Sequence, residues 1–200
     1  MSDDLELSVT RLIDAPIDVV WRVFTEQTNE WFCPKPWRAE VDWDLRAGGR
    51  SATVMYGPNG EENRMEGIIL EAVPGKRVVF TDAFKGDWTP QGPFMVGFFE
   101  FEEEDGKTRY TGRARHWTEV AKQQHQAMGF ADGWGKVAEQ LAELAEKAKV
   151  EARAVTGDFP RMAFPNESPA YREARSAQSR GADTNSGRRP STWLVTSEQV

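Results

Sequence analysis

Residues 125–144 read HQAMGFADGWGKVAEQLAEL, and how this stretch is read decides the fold. Val137, Leu141 and Leu144 recur at helical spacing, so the second half is an amphipathic helix. The first half sets Gly129, Gly133 and Gly135 around Phe130 and Trp134. Each glycine inside a helix costs roughly 1 kcal/mol relative to alanine, so their presence beside two large rings asks for a reason. Phe130, Trp134, Val137 and Leu141 form one stripe, which suits a helix lying against a sheet. Gly133 and Gly135 flank Trp134 by about 100° to either side, where strands would approach the helix backbone closely. Gly129 lies one turn above Gly133 and offers a smooth flank or a point of bending. The stretch is then the rear wall of a cavity, and Gly133→Leu is expected to overpack it by roughly 1–3 kcal/mol.

Upstream, the chain supplies the sheet that such a helix requires. ELSVTRLI, residues 6–13, alternates as a strand does, and DAPIDVVWRVFT follows as a short amphipathic helix with Asp14 as its expected cap. EQTNEWF is a second short helix, ended by Pro34 and Pro36. RAEVDWDL, RSATVMY, RMEGIILEAV, KRVVFTDAF, FMVGFFEFEEE and KTRYTGRARHW then read as strands. Asn59-Gly60 and Asp105-Gly106 are hairpin signals, and Pro74-Gly75 is a turn. A single long helix from about Val120 to Ala148 closes the region. The expected class is α+β: a curved antiparallel sheet of about six to seven strands wrapped round a long C-terminal helix, with two short helices after the first strand. The helix-grip domain spans residues 1–149. Residues 150–200, rich in Pro, Gly, Ser and Arg, read as a linker or disordered tail.

Charge and composition narrow the partners. The chain carries −7 overall, and seven arginines against six acidic residues after position 150 leave −8 on residues 1–150. An acidic body argues against nucleic acid and anionic membrane surfaces. One cysteine, Cys33, excludes an internal disulfide framework and fits the cytoplasm, as does an acidic N-terminus without a signal core. No run of apolar residues is long enough for a membrane span. No phosphate loop, zinc spacing or nucleophile elbow occurs, so neither a metal nor another cofactor is expected.

The order of elements, opened by LSVTRLIDAPIDVVWRVFT, resembles the SRPBCC (START-like, helix-grip) superfamily. WDLRAGGR, EGIILEAVPGKRVVFT and the closing H-x-x-M-G-F-x-x-G-W-G resemble its branch of activator of heat-shock-protein ATPase homologues. The resemblance covers about residues 5–148 and implies a deep, largely apolar cavity between sheet and long helix. FPNESPAYREAR is similar to the opening of a thioredoxin-like domain fused behind such modules, so the tail is expected to be a remnant of one.

Among candidate residues the aromatics stand first. Trp31, Trp37, Phe84, Trp88, Phe94, Phe99, Phe130 and Trp134 are expected at the short helices, strand ends and terminal helix around the cavity; packing of the interior is the competing reading. KGDWTPQGPF, residues 85–94, reads as a lid. His116 ends the last strand and is an acid/base candidate, against a merely structural histidine. Tyr56 and Glu66 would join it if they faced inward, against a solvated outer face. Asp82 is weighed in the same way. His125 lies nine residues before Trp134, which on a straight helix is the opposite side; it reaches the cavity only if the helix bends at the glycines. Cys33 reads as a small buried hydrophobe rather than a nucleophile.

Three functions follow in order. The first is binding of a hydrophobic small molecule in the cavity. The second is an enzyme of the cyclase or hydrolase kind found in the superfamily, polyketide cyclases among them. The third, a co-chaperone stimulating a heat-shock-protein ATPase, ranks last, because that activity resides in longer proteins with a further N-terminal domain. A homodimer stays open.

Overall fold

A computed structural model describes residues 5–157. The tail from 158 onward, with its expected linker and domain remnant, lies outside the described residues. Strand β1 (Glu6–Ile13) leads into α1 (Ile17–Glu26) and α2 (Thr28–Trp31). Then come β2 (Arg38–Trp43), β3 (Arg50–Tyr56), β4 (Glu62–Val73), β5 (Arg77–Thr81), a small ribbon of β6 (Phe84–Lys85) and β7 (Thr89–Pro90), β8 (Met95–Glu104) and β9 (Lys107–His116). Helices α3 (Glu119–Ala127) and α4 (Phe130–Gly157) complete the domain. The main sheet is seven-stranded and antiparallel in the order β1-β9-β8-β5-β4-β3-β2, so the first and last strands of the series pair side by side. Asp105 and Gly106 both adopt positive φ, 51° and 75°, the geometry of the two-residue hairpin turn that joins β8 to β9.

Alternation sorts the two faces. On β9, Thr108, Tyr110 and Ala114 are buried toward α4. Arg113, between them, turns outward and pairs with Glu6 at 2.9 Å and Glu100 at 2.7 Å. The core joins Phe24 and Val20 of α1, Trp31 of α2, Ile69, Val78, Phe99 and Phe101 of the sheet, and Leu141 and Ala145 of α4. Burying each such side chain is worth roughly 1.5–3 kcal/mol, which is how a sheet curved round one helix holds together.

A buried glutamine fastens the short helices to the long one. Gln140 on α4 is 3% exposed, and its Nε2 donates to the carbonyls of Trp31 at 2.9 Å and Cys33 at 2.8 Å. Its Oε1 accepts from the Lys35 amide at 3.1 Å. The chain after α2 is thus tied to α4 through backbone groups that would otherwise be buried unpaired.

Four expectations are corrected here. The terminal helix is two helices, because Gly129 takes φ +88° between α3 and α4. Helix α4 runs on to Gly157, past the helix end expected near Ala148. The cap position of α1 is Pro16 without a side-chain bond, whereas Asp14 pairs with Lys149 at 2.9 Å. The close approach of sheet and helix is supplied by the sheet: a Cβ on Gly112 would lie 3.0 Å from the Trp134 ring, while Gly133 and Gly135 face open space. A Cβ at Gly133 therefore meets no wall. Chemical denaturation should show Gly133→Ala raising stability by about 0.5–1 kcal/mol, since only the backbone entropy term acts. Gly129→Ala should instead cost about 1–2 kcal/mol, the penalty of a left-handed residue with a side chain.

Candidate functional site

The break at Gly129 builds the site. Thr118 caps α3 by accepting from the Ala121 amide at 3.1 Å, which starts a new helix directly after β9. At its other end the Met128 and Gly129 amides donate to Gln124 and Gln126, each at 3.0 Å. The left-handed residue then redirects the chain. His125, which a straight helix would turn away, comes instead within 5.0 Å of the Phe130 ring and 6.1 Å of the Trp134 ring, centre to centre.

His116 meets it from the sheet. It follows Ala114 on the inner face of β9 and is 3% exposed. His116 Nε2 and His125 Nδ1 lie 2.9 Å apart, and His116 Nδ1 lies 3.1 Å from the Leu5 carbonyl. Phe94 closes over both imidazoles, at 5.5 Å from His116 and 5.2 Å from His125. Burial in these apolar surroundings, followed by the neighbouring His116, pushes the His125 pKa down to about 4. His125 is thus held neutral inside an aromatic box.

The segment above the pair is fixed at its base and open at its tip. Asp82 Oδ1 accepts from the Phe94 amide at 2.9 Å and the Met95 amide at 3.1 Å. Gln91 Nε2 donates to the carbonyls of Glu66 at 3.0 Å and Asp82 at 3.1 Å. Beyond them the β6–β7 ribbon leaves Trp88 63% exposed, its ring edge against Gly48. Asp87 and Trp88 both carry positive φ, 59° and 56°, a strained conformation for residues other than glycine.

The expected lining residues divide. Trp31, Phe99 and Phe130 are buried, and Trp134 packs on Phe99 at 5.8 Å, so these rings meet one another rather than an open space. Phe94 covers the histidines. Phe84 and Trp88 belong to the exposed ribbon, and Trp37 lies beside Gly57 near the β3–β4 hairpin. Two surface hollows lie outside the grip, one of about 280 Å³ beside Thr28, Asn29 and Val41 and one of about 550 Å³ beside Glu71, Arg77 and Glu102. Tyr56 and Glu66 stand on the outer face of the sheet, away from His116. Tyr56 donates to Glu40 at 3.2 Å beneath the Arg38 guanidinium, and Glu66 pairs with Arg50 at 3.3 Å. Asp82 is spent on backbone amides. Cys33 is buried, and burial raises its thiol pKa, as suits a packing residue. Among the described residues no group of three or more His, Cys, Asp and Glu could hold a metal ion, and no helix is long and apolar enough to cross a membrane.

Of two functional features, one was only conditional in the sequence and the other was missed. His125 was signalled by Thr118 and Gly129, a cap and a stop eleven positions apart that mark a separate helix. The other is Trp43, whose buried Nε1–H has no acceptor among the described residues. Alternation along β2 put Trp43 on the face of Ala39 and Val41, but no pattern shows an unpaired donor.

The depressed His125 pKa makes stability depend on pH. Folded His125 stays neutral down to about pH 4, whereas in the unfolded chain it protonates near 6.5. Its contribution is fully present above about pH 6.5 and is lost as pH falls toward 4, by on the order of 3 kcal/mol. Urea titrations across that window should show this slope in the native chain and its loss in His125→Phe.

The sequence matches the family described as Activator of Hsp90 ATPase homolog 1-like protein over residues 14–146. A crystal structure of a Nitrosomonas europaea protein is 36% identical, covering 75% of this chain and 99% of its own, with a TM-score of 0.70. A Mycobacterium smegmatis crystal structure is 29% identical over 71% of this chain and 91% of its own, with a TM-score of 0.61. An Arthrobacter aurescens solution structure, 23% identical over 74% and 90%, shares the fold with a TM-score of 0.63. No curated protein matches.

Proposed function

The chain belongs to the Activator of Hsp90 ATPase homolog 1-like family, and from that premise we propose that it binds a small apolar molecule between the inner face of the sheet and α4, beneath the segment from Ala83 to Phe94. The observation that carries this reading is Trp43 Nε1. It is a buried donor without an acceptor among the described residues, set among the rings of Phe24, Trp31, Phe32, Phe80 and Phe99. An unpaired buried donor costs about 1–3 kcal/mol, which an oxygen on a bound molecule would recover. Flat aromatic walls complement a flat apolar guest, and one polar anchor fixes its orientation.

Entry runs past Phe94. The ribbon above it buries little surface, so lifting it costs less than opening the core. Closed, the rings fill the space themselves; a guest displaces Phe94 and slides between lid and helix.

The Trp43 indole N–H is its own reporter. Its resonance in a ¹H–¹⁵N spectrum is identified by its loss in Trp43→Phe. Titration with 2-acetylnaphthalene, whose ketone can accept from it, should move that resonance to saturation at one equivalent. A resonance unmoved to the solubility limit of the ketone would overturn the reading.

A further inference from the structure

The orientation of every proton in the histidine pair follows from the group at its far end. The Leu5 carbonyl can only accept, so His116 Nδ1, 3.1 Å away, carries the proton that it donates there. With that ring neutral, His116 Nε2 is a lone pair, and His125 Nδ1, 2.9 Å from it, must be the donor. His125 Nε2 is then left as an acceptor. It has no partner among the described residues, although the residue as a whole is only 9% exposed. Unlike Trp43 Nε1, this acceptor is not sealed inside the core, so it stands at the edge of the aromatic box where a group entering beside Phe94 can reach it.

Resting on the binding reading above, we propose that His125 Nε2 is the hydrogen-bond acceptor of the site, with His116 as its positioning residue, and that the guest is a neutral apolar molecule bearing a hydroxyl group, a phenol or an alcohol. The rings around the pair, Phe94, Phe130 and Trp134, bring no charge to meet an ionised guest. The same surroundings that keep His125 unprotonated penalise a carboxylate or an ammonium brought beside it. A hydroxyl donates one hydrogen bond and carries no charge, so it gains the contact without that penalty. Phe94 occupies the position over both rings that the guest takes when the segment lifts.

Three probes of one shape separate the outcomes: naphthalene, 2-naphthol and 2-naphthoate, each titrated at pH 7.5 by calorimetry. The expected result is that 2-naphthol binds about tenfold more tightly than naphthalene, the gain of one hydrogen bond, and that 2-naphthoate binds more weakly than either. His125→Phe should erase the preference for 2-naphthol while naphthalene affinity stays within about twofold, which also shows that the variant is folded. His116→Phe should weaken the preference by releasing the tautomer. His116→Gln should restore part of it, since an amide can donate to Leu5 and accept from His125. If no probe binds, the apolar-guest reading itself falls. If naphthalene binds and 2-naphthol binds no better, or if His125→Phe keeps the preference, this inference falls and the apolar-guest reading stands.

Discussion

Phe99 sits where the sheet meets α1, α2 and α4, and the packing of its ring is the interaction on which the rest depends. From the middle of β8 it stacks with Phe80 and Trp43 of neighbouring strands at 5.3 and 5.8 Å. It meets Phe24 of α1 at 5.5 Å, Trp31 of α2 at 6.2 Å and Trp134 of α4 at 5.8 Å. Rings are rigid and wide, so one residue can fix the separation of three layers at once. With that separation set, α4 must lie where Gly112 leaves room for Trp134. The short helices must in turn reach α4 through Gln140. The inner face is spent on these contacts, and charge is confined to the outer face, where Arg113 bridges Glu6 and Glu100.

The site lies where this packing stops. Beyond Ala114 the inner face of β9 ends in a histidine rather than another hydrophobe, and beyond Phe130 the helix ends in a left-handed glycine. These two departures bring His116 and His125 together. They are also the places where the chain uses polar groups in an apolar setting, with the Leu5 carbonyl within hydrogen-bond reach of His116 Nδ1 and the two rings bonded to each other. A continuous helix would have been the simpler covering for the sheet. It would have faced His125 to water, where its pKa would stay ordinary and its ring unoriented.

Several features were legible before any coordinates. Period-two runs gave the strands, Asp105-Gly106 gave its hairpin, and the resemblance of the opening and closing motifs gave the helix-grip order. His116 was legible as the end of an alternating strand. The roles of the aromatics were only half legible. Phe99 and Trp134 read as neighbours of a cavity, yet they touch each other, because sequence shows which residues are large but not which voids they close. Tyr56 and Glu66 could not be assigned a face with certainty from their strands alone. Their alternation is clear, but which face is inner depends on the pairing register with β2 and β4, which puts Trp43 and Ile69 on the other side.

The sequence by itself determined the periodicities, the turns and therefore the class of fold, since these rest on interactions between residues close along the chain. It also placed glycines where a helix would not want them, without saying which was the break. Only the tertiary structure decided that Gly129 carries the left-handed turn while Gly133 and Gly135 face open space. Only it showed that the close approach is made by Gly112 from a strand. The physical reason is that a left-handed residue or a missing Cβ gains its meaning from what stands opposite. For His125 what stands opposite is His116 and Trp134, residues brought together by the sheet and the turn and not by their spacing.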